Sequence, residues 1–496
     1  MISAKKILYP LLLLALGLSS SSGADKPNIL IVFTDDHGYA DLGILKNDPD
    51  VRTPNIDQLA RDGVLFTRGY STAPQCIPSR AGLVVGRHQN AFGMEDNSDG
   101  PLPHDETTVA ERLRDAGYVT GMVGKWHLEV GYDKQNKPYY SRNHLPHRHG
   151  FEEIFCGYLQ DYQATFDLAG NTIADGPKSI TDPRFRVDVQ TLAALAFLDR
   201  RKTDDRPFFL YLCPYAPHAP MEDPPQYMER MSHVAEKERR MALASILAID
   251  DGIGLIRKKL QEMGQAENTL IFFMADNGAP LIEESYIGSR NTPLEGCKGM
   301  FTDGGVRVPY VAAWPGEIPS GQVFDEAVST LDASATALAV GGAPVDDKIE
   351  GTNLMPWLTG GRTGKVHEDL FWRWRSQAAI LSGDWKLILL GNERRYLFDM
   401  RQPVSEISGK SQIDQFPEIA ANLEGKLRTK AATWKNPALP RNVVDRDREL
   451  FDIFVEKTLP PPPYGKGKTG QIIPWKPDRP TTPIADLKSN ETKGSK

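Results

Sequence analysis

The chain has 496 residues and a formal charge of −7, from 58 basic against 65 acidic side chains, and it is 40% hydrophobic and 25% charged. This is the composition of an ordinary folded soluble protein, long enough to bury a core without disulfide staples. No global basic field is present to draw a phosphate backbone, so a nucleic-acid partner is excluded, whereas a local cluster of cations could still bind a small anion.

Lys5 and Lys6, the apolar run Ile7 to Leu18 and the small residues Ser22-Gly23-Ala24 form a secretory signal over residues 1–24. The run is too short to span a bilayer, no cysteine follows it to carry a lipid, and no other segment reads as a membrane span. The mature protein is therefore expected to be secreted or periplasmic. Short apolar runs at Asn28–Phe33, Tyr118–Val123, Pro207–Leu212, Thr269–Ala275 and Val308–Ala313 do not alternate, which predicts parallel strands covered on both faces. Helices are predicted between them. One opens on the capping box Thr108-x-x-Glu111 and stops at Gly117, a second covers Val187 to Leu198, and a third runs from about Ala235 to Met263. Alternating strands and helices give an α/β fold, a large mainly parallel sheet sandwiched by helices, over residues 25–365. The pattern then changes. Trp385–Leu390 and Tyr396–Asp399, joined through Gly391-Asn392, predict adjacent antiparallel strands, and Pro417 to Lys435 a helix, so residues 366–455 form a smaller α+β domain. The Pro-rich tail, 456–496, is expected to be extended over the surface or disordered, with Asn490-Glu491-Thr492 a glycosylation acceptor in a eukaryotic host.

Ligands of open α/β sheets gather at the carboxyl ends of the strands. Asp35-Asp36 follows the first strand, Lys125 and His127 the second, His218 the third and Asp276-Asn277 the fourth. An isolated Asp pair after a strand is commonly a turn or a cap. Four strands each delivering such a group point instead to one site. Asp35, Asp36, Asp276 and Asn277 are oxygen donors, which favours Ca²⁺, or Mg²⁺, over zinc.

The segment Cys76-Ile77-Pro78-Ser79-Arg80 through Gly86-Arg87 resembles the signature of the formylglycine-dependent sulfatases, C-x-P-S-R-x-x-x-x-T-G-R. Gly124-Lys125-Trp126-His127-Leu128, Pro217-His218-Ala219-Pro220, Asp276-Asn277-Gly278, Lys298-Gly299 and Gly304-Gly305-Val306-Arg307-Val308-Pro309 are similar to further motifs of that family, in order. The resemblance implies an alkaline-phosphatase-like fold and hydrolysis of a sulfate ester, most fittingly of a carbohydrate. It also implies oxidation of Cys76 to formylglycine by a formylglycine-generating or anaerobic sulfatase-maturing enzyme. Residue 76 would join Asp35, Asp36, Asp276 and Asn277 on the metal. Arg80 would hold the aldehyde hydrate, His127 would accept a proton from it, Lys125 and Lys298 would bind sulfate oxygens, and His218 would protonate the leaving oxygen. Three positions depart from the family pattern: Ile77, Val85 and Glu129 stand where a small residue, Thr and Gly are usual.

Arg142, His144, His147, Arg148 and His149 crowd one stretch. Arg142, His144, His147 and Arg148 are candidates for substrate contact, and His144-x-x-His147-x-His149 has zinc-like spacing, against the bland reading of a polar loop. Trp372-Arg373-Trp374-Arg375 suits either a sugar subsite or an edge strand. With Cys76 set apart, Cys156, Cys213 and Cys297 allow at most one disulfide, which the sequence does not choose. Two rival functions stay open: a phosphodiesterase or phosphonate monoester hydrolase using the same groups, and a non-catalytic glycan-binding relative.

Overall fold

The computed structural model describes residues 26–133, 135, 137–282, 285–401, 406–461, 472–476 and 479. The signal segment and the Asn490 acceptor lie outside the described residues. The large sheet contains ten strands: β1 (Asn28–Thr34), β2 (Val64–Phe66), β3 (Val119–Gly124), β4 (Glu153–Gly157), β5 (Asp161–Ala164), β6 (Lys178–Thr181), β7 (Phe208–Cys213), β8 (Thr269–Ala275), β9 (Tyr310–Ala313) and β10 (Gln322–Phe324). Their order across the sheet is β10-β2-β9-β8-β1-β7-β3-β4-β5-β6. The five central strands, β8, β1, β7, β3 and β4, run parallel. β9 is antiparallel to β8 and β2, which corrects the parallel expectation for Val308–Ala313. Burial on both faces makes a strand uniformly apolar whichever way it runs, so the pattern carries no direction.

Alternate side chains of β1 feed two cores. Leu30 and Val32 pack with residues of helices α3 (Arg186–Arg200) and α4 (Lys237–Glu262), while Ile29, Ile31 and Phe33 pack with those of α1 (Cys76–Val85), α2 (Val109–Asp115) and α5 (Thr330–Val340). Each such side chain, once buried, contributes about 1.5–3 kcal/mol. Helix α2 opens on the expected capping box: Thr108 Oγ1 accepts from Glu111 N at 3.1 Å, and Glu111 Oε2 accepts from Thr108 N at 2.7 Å. The departures Ile77 and Val85 are buried in the second core.

A separate four-stranded antiparallel sheet comes next, with β11 (Asp369–Trp374), β12 (Gln377–Ser382), β13 (Trp385–Leu390) and β14 (Arg394–Asp399) in sequence order, and helix α6 (Pro417–Ala431) against it. Trp372 and Trp374 lie on the edge strand but are buried, their indole N–H groups donating to Ser71 O at 2.8 Å and Asp96 Oδ2 at 2.9 Å. They are core residues rather than a sugar platform. All four cysteines are free and buried.

Candidate active site

β1 and β8 pair in full register, with Thr34 opposite Ala275, so both chains leave the sheet at one edge. Asp36 turns there with φ 59°, a left-handed conformation that a non-glycine residue keeps only where its surroundings hold it. Its N–H donates to Asp276 Oδ1 at 3.1 Å. Its carboxylate accepts from Asn277 Nδ2 at 2.6 Å and from Lys298 Nζ at 2.6 and 2.9 Å.

Cys76 is the first residue of α1, with Gln75 as N-cap. The helix opens there because Pro78 falls in the first turn, where no intrahelical N–H is required. Cys76 Sγ lies 3.3 Å from Asp35 Oδ1, 3.9 Å from Asp36 Oδ1 and 3.2 Å from Lys298 Nζ. Arg80, one turn on along the same face, sets Nη2 2.8 Å from Asp276 Oδ2 and 3.7 Å from Asp35 Oδ1. Its Nη1 donates to Lys125 O at 3.2 Å. Lys125 leaves β3 and donates to Asp35 Oδ2 at 2.5 Å, its ammonium 4.8 Å from the Tyr215 ring centre. His127 is held at φ 66°, and its buried Nδ1 has no hydrogen-bond partner. His218 bonds the Ala219 carbonyl through Nδ1 and turns Nε2 toward Asp36 Oδ2 at 3.6 Å.

Burial dominates the electrostatics. Desolvation, then the Asp35 charge, pushes Asp276 up to about 7. Asp35 meets the same desolvation, but His218, Lys125, Arg80 and Lys298 outweigh it and hold the carboxyl well below the usual range. Burial and Asp35 push the Cys76 thiol well up, so an unmodified Cys76 stays protonated and is a poor nucleophile. Burial, then Lys125, keeps His127 neutral, and burial holds His218 down at about 4 against the pull of Asp35.

Asp35, Asp36, Cys76 and His218 present donor atoms within 4.8 Å of one another, and among the described residues no other group of three such side chains does so. His218 thus stands among the metal-type donors as well as at the pocket; the sequence placed it at this site but as a proton donor rather than a ligand. Asp276 joins through Arg80 and the Asp36 N–H. The Asn277 Oδ1 atom is buried without a partner. A pocket of about 420 Å³ opens above, lined by Asp36, Gln75, His218, Lys298, Ser285 and an apolar wall of Ala219, Pro220, Pro280, Ile282 and Ile287. A larger crevice of about 660 Å³, beside Leu59 and Arg257, holds none of these groups.

The structure brings the cationic, carboxylate and imidazole candidates together but not the basic loop. Arg142, His144, His147 and Arg148 are absent from the pocket wall among the described residues. His104 stacks on His144 and on His149, ring centres 4.4 and 4.8 Å apart, and the Trp126 indole N–H donates to His144 O at 2.8 Å. Stacked imidazoles present faces rather than convergent lone pairs, which sets aside the zinc reading. Glu129 is buried and accepts from Tyr158 OH at 2.6 Å. Sequence reasoning missed Gln75, Tyr215 and Arg186. Gln75 sits one residue before the signature, and the other two carry no motif; Arg186 lies with its guanidinium 4.5 Å from the Tyr215 ring centre.

This strand-end cluster lies at the carboxyl edge of a mainly parallel, helix-covered sheet, where α/β enzymes gather their ligands. Residues 27–343 match the sulfatase family model, and residues 297–433 match the C-terminal model of N-sulphoglucosamine sulphohydrolase. The chain is 35% identical over 381 residues to N-acetylgalactosamine-6-sulfatase of Canis lupus familiaris, covering 71% of this chain and 70% of that one. It is 35% identical over 377 residues to arylsulfatase A of Homo sapiens, covering 72% and 71%. The crystal structure of Ps i-CgsB in complex with k-i-k-neocarrahexaose superposes with a TM-score of 0.72 at 27% identity, covering 86% of this chain and 97% of that one. The chain belongs to the sulfatase family, within the alkaline phosphatase superfamily. It is a sulfuric ester hydrolase. Among the described residues no helix is long and apolar enough to cross a membrane.

Proposed function

We propose that this protein is an exported, Ca²⁺-dependent sulfatase acting on a sulfated carbohydrate, with residue 76 converted to formylglycine by a maturing enzyme. The observation that carries the reading is the place of Cys76, buried behind the pocket-lining Asp36 and Lys298, with Asp35 at 3.3 Å and Lys298 at 3.2 Å. The donor set suits a hard dication: three carboxylates and an amide oxygen that lacks a partner, with Asp276 pushed up to about 7 by burial and its acidic neighbours. When bound, the cation and the aldehyde hydrate supply a hydroxyl of lowered pKa and a polarised sulfate oxygen.

The chain's own residues do the rest. Lys298, between Asp36 and residue 76, and Lys125, beside Asp35, would hold sulfate oxygens as their charge redistributes. Arg80 fixes Asp276 and stands one helical turn from residue 76, where it would hold the hydrate. His127, neutral and with Nδ1 unpartnered, is in the form that accepts a proton. His218 would give a proton to the leaving oxygen from Nε2; burial keeps the ring neutral, and the negative charge of a bound ester favours its protonation. Support for a sugar comes from the relatives, which include N-acetylgalactosamine-6-sulfatases and a structure holding a neocarrahexaose.

Parallel assays of the matured protein on sulfate, phosphate and phosphonate esters of one chromogenic alcohol test the reading. A clear preference for sulfate is expected. Preference for phosphorus would make the protein a phosphodiesterase or phosphonate hydrolase, and glycan binding without turnover would make it a non-catalytic relative.

A further inference from the structure

We propose that residues 472–476, together with Arg479, form a strap that sets one wall of the substrate pocket, with Arg479 as its positioning residue. The wall residues His218, Ala219 and Pro220 run directly into Met221 and Glu222. Ile472 and Ile473 pair in parallel with Met221 and Glu222. Ile472 also packs in the small apolar cluster that contains Met221, Ala219 and Ile287, and the last two line the pocket. Trp475 N donates to Asp223 Oδ1 at 2.7 Å.

Arg479 then closes the strap. It is 6% exposed, and its guanidinium lies 4.0 Å from the Trp475 ring centre. Its Nη2 is 2.7 Å from Glu222 Oε1, and its N–H groups donate to Pro183 O at 2.6 Å and Arg184 O at 3.2 Å. The other Glu222 oxygen forms an ion pair with Arg186 Nε at 3.3 Å, without hydrogen-bond geometry. Arg186 Nη2 donates in turn to His218 O at 2.8 Å and Pro220 O at 2.5 Å, the carbonyls on either side of Ala219. A buried relay, Arg479 to Glu222 to Arg186, therefore ends on the backbone of the pocket wall. Without Arg479, Glu222 Oε1 is left buried and unpaired, and the carboxylate whose charge faces Arg186 is free to shift.

The inference rests on the proposed function in one respect, that this pocket takes the ester. Its test therefore has two arms on the full-length matured protein. In Arg479→Ala, KM for a sulfated sugar rises about tenfold or more, while the inhibition constant of inorganic sulfate, which needs the cationic floor alone, stays within about twofold. Amide hydrogen exchange across residues 215–223 quickens by about tenfold. Arg479→Lys keeps the Glu222 ion pair without the fork and falls between the two. It decides the question if the alanine variant does not fold. KM and the sulfate constant moving together, or unchanged exchange in 215–223, would overturn the strap. A wild-type protein that turns over no sulfate ester would sink the proposed function instead, and the exchange arm would still judge the strap.

Discussion

Two buried ionic clusters in this molecule use nearly the same ingredients to different ends. Around Cys76, Asp35, Asp36 and Asp276 meet Lys125, Lys298 and Arg80. Between the two sheets, Lys386 Nζ lies 2.8 Å from Asp303 Oδ1 and 2.8 Å from Glu406 Oε1, with Arg307 Nη1 3.2 Å from Asp303 Oδ2. Each contains a carboxyl that burial, foremost, pushes up to about 7: Asp276 in one, Glu406 in the other. A shifted pKa therefore does not by itself mark a site. What separates them is geometry. The first cluster carries left-handed backbone at Asp36 and His127 and a pocket above it. The second lines neither the 420 Å³ pocket nor the 660 Å³ crevice, and its lysine is roofed by the rings of Tyr70 and Trp372 at 5.8 and 5.6 Å. It is a rivet.

The comparison breaks most visibly under substitution of the reactive groups. Cys76→Ser and Asp276→Ala should each lower kcat by about 10³-fold or more while the melting curve keeps its cooperative shape. Wild-type rates in either would show that the first cluster is a rivet too. Lys386→Met should do the reverse, costing about 3–5 kcal/mol in urea unfolding by stranding the buried Glu406 carboxyl and leaving Asp303 to Arg307. The protein that remains folded should keep kcat within about threefold. Chelation of divalent ions should abolish turnover, and Ca²⁺ at about a hundred times its Kd should restore it and add about 2.7 kcal/mol of stability. No such gain is expected in Asp36→Ala. A further effect lies outside both clusters. Burial holds His88 neutral down to about 4 and His149 down to about 3, against an ordinary value of 6.5. The unfolded chain takes up these protons first, so stability is full above pH 6.5 and falls as the pH drops toward 4. The slope is at most about 1.4 kcal/mol per pH unit for each histidine, and His88→Gln should remove its share from the urea midpoints.

Much of the fold was legible because it is written in local chemistry. The apolar runs that end at Thr34, Gly124, Cys213 and Ala275 are strands, and each gives way to polar side chains that could not continue a buried sheet. Thr108 and Glu111 announce α2 without any tertiary information. The direction of β9 was not legible, since an apolar strand looks the same from either end. The histidine-rich loop misled for a different reason. Spacing describes which rings are near in the chain, whereas His104, brought in from forty residues earlier, decides that His144 and His149 stack. Tyr215, Arg186 and the tail residues Ile472 and Arg479 were invisible because their partners lie far away in sequence. A buried arginine in a Pro-rich tail has no local signature. Asp35, Lys125 and Asp276 could be read because each stands just past the end of an apolar strand. Side chains that brace such groups from behind, as Arg186 does through the His218 and Pro220 carbonyls, have no comparable mark in the sequence.

The central claim is that residue 76 acts as an aldehyde within the first cluster, and the most direct measurement is mass spectrometry of the tryptic peptide that contains it, paired with turnover of a sulfate ester. Protein made with and without a maturing enzyme should show hydrolysis rising in proportion to the aldehyde fraction and vanishing when residue 76 is wholly thiol. Undiminished hydrolysis by the all-thiol protein would contradict it.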